Sequence, residues 1–177
     1  MIKKKIFTIP LLLFSLILII FFYLLLLDRN PSVLPSSLLN KKFPDFETDY
    51  LLKEEKFLSS AEIGSELVLV NFFATWCKPC REEHKYIQQI KKEKKIKIIG
   101  INYKDNSKKT VEWLKKLGNP YSSIAIDKNG RISIEWGVYG IPETFIVDKS
   151  GIIKYRHVGQ INKKKYKEIS SLIDKFK

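Results

Sequence analysis

Residues 68–84 constrain this chain more than any other stretch, because an apolar run ends there in Cys77-Lys78-Pro79-Cys80 and a polar segment of helical period begins. Residues 67–73 are aliphatic or aromatic apart from Asn71, which suits a central strand buried on both faces. Beyond Cys77 the period changes, and Tyr86, Ile87 and Ile90 fall on one face of a helix whose other positions are charged. Cys77 is therefore expected at a helix N-terminus. Free backbone N–H groups and the positive end of the helix dipole favour a thiolate there, so Cys77 is the expected nucleophilic sulfur. Cys80, one turn further on, is placed to resolve a mixed disulfide.

Other uses of two cysteines three apart fit less well. A purely structural disulfide at this spacing closes too small a loop to constrain the unfolded chain much. Zinc would need Cys77, Cys80, His84 and His157, but paired half-sites are the ordinary signature and His157 stands alone. Covalent haem attachment needs a histidine directly after the second cysteine, and position 81 is Arg. A redox pair between a strand and a helix is the reading favoured, with no metal and no cofactor.

The N-terminus adds a second constraint. Residues 1–5 are a basic tip, and residues 6–27 contain no charge, which is long enough to cross a bilayer core of ~30 Å as a helix. A cleaved secretory signal would have a shorter apolar region, roughly 7–15 residues, and a small-residue cleavage site. Here the run ends in four leucines, then Asp28, Arg29, Asn30 and Pro31, so an uncleaved anchor is expected. Three lysines before the span place its N-terminus in the cytoplasm by the positive-inside rule. The remainder then faces an extracytoplasmic compartment, in a bacterium the periplasm. Residues 28–42, with scattered Pro, Ser and Asn, read as a linker, and residues 43–177 as one domain.

Further along, strands and helices alternate. A strand is expected over residues 95–102, a helix over 107–117 with Val111, Leu114 and Leu117 on one face, and a stop at Gly118-Asn119-Pro120. A strand over 121–126, a turn over 127–130 and a short helix over 131–136 follow. Residues 144–147 and 152–157 form the final hairpin, and Asn162 caps a closing helix with an apolar stripe of Tyr166, Ile169, Leu172, Ile173 and Phe176. Such alternation implies parallel pairing through right-handed crossovers. His84 and His157 are expected at the surface. The lysines over 91–97 read as a solvated helix end whose cations suit the C-terminal dipole. The net charge of +13 is spread through nearly every polar segment, and nucleic acid is not an expected partner.

Trp76-Cys77-Lys78-Pro79-Cys80 resembles the active site of the thioredoxin superfamily. More narrowly, residues 71–77, Arg81-Glu82-Glu83-His84 and residues 137–145 (Gly-Val-Tyr-Gly-Ile-Pro-Glu-Thr-Phe) are similar to the CcmG/DsbE group. These are membrane-tethered thiol:disulfide oxidoreductases of cytochrome c maturation. The resemblance covers nearly the whole chain. It implies an α/β thioredoxin-like fold, a mixed central sheet flanked by helices, with an N-terminal hairpin over residues 43–50 and 56–58 and a transmembrane helix ahead of it.

The resemblance also implies a site. Cys77 and Cys80 would be catalytic, supported by Trp76, Pro79, Glu83, Ile141, Pro142 and Glu143. Pro142 would be cis and packed against the cysteines, with the Ile141 backbone offered to an extended substrate. Ordinary thioredoxins carry a buried Asp six residues before the first cysteine; this chain has Asn71, so any proton acceptor must come from elsewhere, and a glutamate near Cys80, such as Glu83 or Glu143, could accept its proton. The implied activity is reduction of the haem-binding cysteine pair of apocytochrome c or of a maturation partner. An inner-membrane electron donor of the DsbD/CcdA type would re-reduce the enzyme. A general thiol reductase of the TlpA/ResA kind and a non-catalytic thioredoxin-like binding module are the alternatives.

Overall fold

The computed structural model describes residues 2–26 and 38–177, and the chain divides into two units, residues 1–35 and 36–177. In the first, helix α1 spans Ile2–Leu26, where the expected span covered residues 6–27. Its side chains are described over residues 9–24, and the large apolar ones, including Phe14, Ile17 and Phe21, are exposed. Ser15 satisfies its hydroxyl inside the helix, donating to the Leu11 carbonyl at 2.9 Å. Among the described residues no helix is long and apolar enough to cross a membrane. Most of the expected linker lies outside the described residues.

The second unit opens with a short antiparallel hairpin, β1 (Glu47–Asp49) and β2 (Lys56–Leu58), followed by a single turn of helix, α2 (Ser59–Glu62). The first strand is shorter than the expected 43–50, because Phe43 turns inward to stack on Trp136 and pack into the core. Then come β3 (Val68–Phe73), α3 (Lys78–Lys94), β4 (Lys97–Tyr103), α4 (Ser107–Leu117) and β5 (Ser123–Asp127). The chain closes with α5 (Arg131–Glu135), β6 (Glu143–Val147), β7 (Ile153–Val158) and α6 (Lys163–Phe176).

Five strands make one mixed sheet in the order β5-β4-β3-β6-β7. The helical crossovers through α3 and α4 make β3, β4 and β5 parallel, whereas β6 runs antiparallel to β3 and to β7. Strand β3 lies at the centre with every residue buried, and its alternation assigns the two faces. Leu69 and Phe73 pack with Ile87 and Ile90 of α3, Trp113 of α4 and Ile169 and Ile173 of α6. Val68, Val70 and Phe72 pack on the other side with Phe57, Ile132, Trp136 and Phe145. Asn71 belongs to the first face, so it is a polar group beneath α3.

Helix ends follow their sequence signals. Asn106 and Asn162 cap α4 and α6, each accepting a backbone N–H three residues on. Lys95 ends α3 in the left-handed region, and Lys91, Lys92 and Lys94 occupy its last turn. On α4 the buried face is Thr110, Trp113 and Leu114, and Val111 is only half-buried. The expected face is thus rotated by one position, because Trp113 stacks on Phe73 beneath it.

Candidate active site

Helix α3 begins where β3 ends, and the tight turn between them sets Cys77 at the N-cap. Pro79 stands in the first turn, where its missing N–H costs no hydrogen bond. The backbone N–H of Cys80 donates to Cys77 Sγ at 3.1 Å, so the helix N-terminus is aimed at that sulfur. A negative charge developing on Sγ is stabilised there. The two sulfurs are joined in a disulfide, and both residues are almost wholly buried. Across from them the Ile141–Pro142 bond is cis, and the Ile141 carbonyl lies 3.7 Å from Cys77 Sγ.

Trp76 is the exposed flank of the pair, 59% accessible, with its indole N–H donating to the Lys104 carbonyl at 3.2 Å. The loop beneath it is held by Asp105. That carboxylate accepts the Thr75 N–H at 2.5 Å and the Thr75 hydroxyl at 2.9 Å, and also takes bonds from Asn106 N–H and the Thr110 hydroxyl. Asp105 did not figure in the sequence reading. An Asp just before a capping Asn looks like ordinary turn chemistry.

Below the disulfide lies a buried polar cluster. Asn71 donates from Nδ2 to Glu83 Oε1 at 2.9 Å and to Thr144 Oγ1 at 3.0 Å. Its Oδ1 accepts from the Tyr121 hydroxyl at 2.9 Å. Glu83 Oε2 accepts the Ile161 N–H at 2.8 Å. Burial pushes the Glu83 carboxyl up to about 7, against the opposing pull of the Ile161 and Asn71 hydrogen bonds. Burial, and then the charge of Glu83, raise the Tyr121 phenol well above its ordinary range. Glu83 stands one turn past Cys80 on the same helix, the spacing at which side chains are neighbours.

Glu143 has a different setting. It is fully buried, with Oε2 taking a hydrogen bond from Arg156 Nε at 2.7 Å and Oε1 accepting the Tyr139 N–H at 3.2 Å. Arg156 donates a second bond to the Gly137 carbonyl at 2.8 Å. Glu143 and Arg156 thus tie the loop carrying Ile141 and Pro142 to strand β7. Gly137 is at φ +65, the left-handed region that favours glycine, whereas Gly140 is not among the positive-φ residues. Arg156 is another residue the sequence reading passed over, because in an alternating edge strand an Arg ordinarily faces solvent.

Both histidines are corrections. His84 is buried rather than on the helix surface, packed edge-on against Trp113 at 4.3 Å and bonded through Nε2 to the Gly118 carbonyl at 2.9 Å. Burial lowers its pKa. His157 is also buried, on β7, with Nε2 at 3.3 Å from the Gln160 carbonyl. The face of α3 that meets the core is broader than its aliphatic residues indicate, since Glu83 and His84 lie within it. Among the described residues no His, Cys, Asp and Glu are grouped to hold a metal.

A cysteine pair at a strand-to-helix junction, set against a cis-proline loop on a thioredoxin-like sheet, defines a thiol:disulfide oxidoreductase. The Redoxin family matches residues 38–173. The chain is 40% identical over 169 residues to the thiol:disulfide interchange protein DsbE of Vibrio cholerae, covering 94% of this chain and 91% of that one. It is 42% identical over 167 residues to DsbE of Haemophilus influenzae, covering 92% and 90%. A crystal structure of a DsbF homologue from Corynebacterium diphtheriae has the same fold, with a TM-score of 0.68 at 17% identity, covering 84% of this chain and 96% of that one. The chain belongs to the Redoxin family and, within it, to the CcmG/DsbE type.

Proposed function

We propose that this protein is the membrane-anchored periplasmic reductase of a cytochrome c maturation system, acting on the haem-binding cysteine pair of apocytochrome c or on a maturation partner. The observation that carries the reading is the site itself: Cys77 Sγ under the α3 N-terminus, 3.7 Å from the Ile141 carbonyl of the cis-proline loop. Resemblance of residues 137–145 to the CcmG/DsbE group supports the choice of client. The uncharged run over residues 6–27, with exposed apolar side chains where α1 is described, supports the anchor, and the lysines before it support a cytoplasmic N-terminus.

In the reduced enzyme the Cys77 thiolate attacks one sulfur of the client disulfide. A mixed disulfide forms, and the other client sulfur leaves as a thiolate that takes a proton. Cys80 then loses its proton, and Glu83, one turn away with its carboxyl poised near neutrality, is the acceptor. The Cys80 thiolate attacks Cys77 Sγ, the second client thiol is released, and the Cys77–Cys80 disulfide remains. Two electrons have passed to the client. A dithiol donor of the DsbD/CcdA type in the inner membrane returns them by the same exchange in reverse.

The test is the equilibrium reduction potential of the purified protein against a glutathione or dithiothreitol buffer. A value far below the ~−120 mV of a dedicated periplasmic oxidant, towards the ~−270 mV of thioredoxin, is expected. A potential at the oxidant end overturns the reductase reading. Apocytochrome carrying an oxidised Cys-x-x-Cys-His should be reduced by the dithiol form, and failure there removes the cytochrome client while leaving the oxidoreductase.

A further inference from the structure

A groove of about 630 Å³ opens beside the disulfide, its lining including Trp76, Arg81, Lys104, Lys109 and Lys116. Its place in a lysine-rich surface is set by Trp76 and Arg81, the residues that flank Cys77 and Cys80. Several cations elsewhere have carboxylate partners, such as Lys56 with Asp49, Lys94 with Asp174, Lys97 with Glu62 and Lys165 with Glu168. Around the groove, among the described residues, Arg81, Lys104, Lys109 and Lys116 form no ion pair. Two acids also line it. Asp105 is turned to the loop, its carboxylate engaged by Thr75, Asn106 and Thr110. Glu112 alone faces the four cations unengaged.

A cleft whose lining carries an excess of one sign, here four cations against Asp105 and Glu112, focuses its field and raises the encounter rate of an oppositely charged partner. What enters this one is limited by where it opens. Trp76 immediately precedes Cys77 and Arg81 immediately follows Cys80, so an occupant lies alongside the reacting sulfur. It must deliver a sulfur to Cys77, which a polypeptide client does and a nucleic acid does not. The Trp76 ring, held by its bond to the Lys104 carbonyl, supplies a fixed apolar wall for the chain to lie on.

Resting on the thiol:disulfide exchange function above, we propose that this groove is a specificity site for clients that carry Asp or Glu next to their reacting cysteine. The Cys77–Ile141 side engages the client backbone around the sulfur, and the Arg81–Lys104–Lys109–Lys116 side reads the charge of the flanking segment.

The experiment uses the full chain in neutral detergent, reduced, with three peptides that share one Cys-x-x-Cys disulfide and differ in having Glu, Gln or Lys flanks. At low salt the Glu-flanked peptide should react about tenfold faster than the Gln-flanked one, with the Lys-flanked peptide slowest, and the spread should collapse at high salt. In the double variant Lys109→Glu/Lys116→Glu the order should invert, so that the Lys-flanked peptide outruns the Glu-flanked one. Inversion cannot come from misfolding, which slows all three. Equal rates for the three peptides at low salt overturn the proposal, as does an order unchanged in the variant. Should none of the peptides be reduced, the exchange function itself fails, and the groove with it. If the variant loses binding to anionic phosphatidylglycerol vesicles but keeps the wild-type peptide order, the cations serve a membrane surface and the proposal is wrong.

Discussion

Glu83 is a carboxyl whose pKa lies above its ordinary value in the folded protein, and this fixes the sign of its contribution to stability. Between the unfolded value of 4.5 and the folded value of about 7 the native state holds a proton that the unfolded chain has released. Stability from this group is therefore complete below pH 4.5 and is lost as the pH rises through 7, amounting to about 3 kcal/mol. His84, lowered by burial, slopes the other way below its ordinary value of 6.5. The comparison that isolates Glu83 is wild type against Glu83→Gln. Urea unfolding between pH 5 and pH 8 should show the wild type losing stability relative to the variant, and parallel curves would remove the buried-proton account. If Glu83 takes the Cys80 proton, the same variant should also slow resolution of a mixed disulfide while leaving its formation by Cys77 intact. Arg156 offers a second case. Arg156→Ala leaves the Glu143 carboxylate buried without its partner and should cost about 3–5 kcal/mol. A companion variant, Glu143→Gln/Arg156→Met, removes both charges and should recover much of that stability. Its slower exchange would then report the loosened Gly137–Ile141 loop rather than global damage. Equal exchange rates in the companion variant and wild type would show that the ion pair only stabilises.

At the scale of elements, the domain is largely legible where one physical signal dominates. The period change at Cys77 located β3 and α3, and Asn162 located the start of α6 by its side-chain bond to the Lys165 N–H. Asn162→Ala should cost about 1 kcal/mol in urea unfolding without touching the disulfide, and no loss would mean that α6 is held by packing alone. Where two signals compete the reading slips. The face of α4 is set by Trp113 stacking on Phe73, and hydropathy alone pointed to Val111 instead. His84 and His157 are buried with Nε2 of each ring paired to a backbone carbonyl, of Gly118 and of Gln160, while His84 Nδ1 has no hydrogen-bond partner among the described residues. Those carbonyls lie 34 and 3 residues away, and no local pattern announces the first. The same holds for the site. Cys77, Cys80 and Pro142 stand in short motifs, whereas Asp105, Tyr121 and Arg156 act across sequence distances that only the folded sheet closes.

For the whole molecule, the open question of chemistry is where the site is held. The sheet domain satisfies its own core from Phe43 to Ile173, and its stability draws on two clusters that both include β3. The apolar side chains of α1 are exposed as described, which is unfavourable in water by roughly 25 cal/mol for each Å² of apolar surface left uncovered. The membrane anchor proposed above would remove that cost. The full chain should accordingly stay with membranes through alkaline carbonate washing, and a chain starting at residue 38 should be recovered in the aqueous fraction with its disulfide exchange intact. The proposed orientation rests on the lysines before the run. In spheroplasts, a thiol reagent that cannot cross membranes should label Cys77 after reduction, as the proposed periplasmic placement requires. Labelling only after the membrane is broken would place the disulfide in the cytoplasm, where the reducing pool would keep it open and a tethered reductase would have no task.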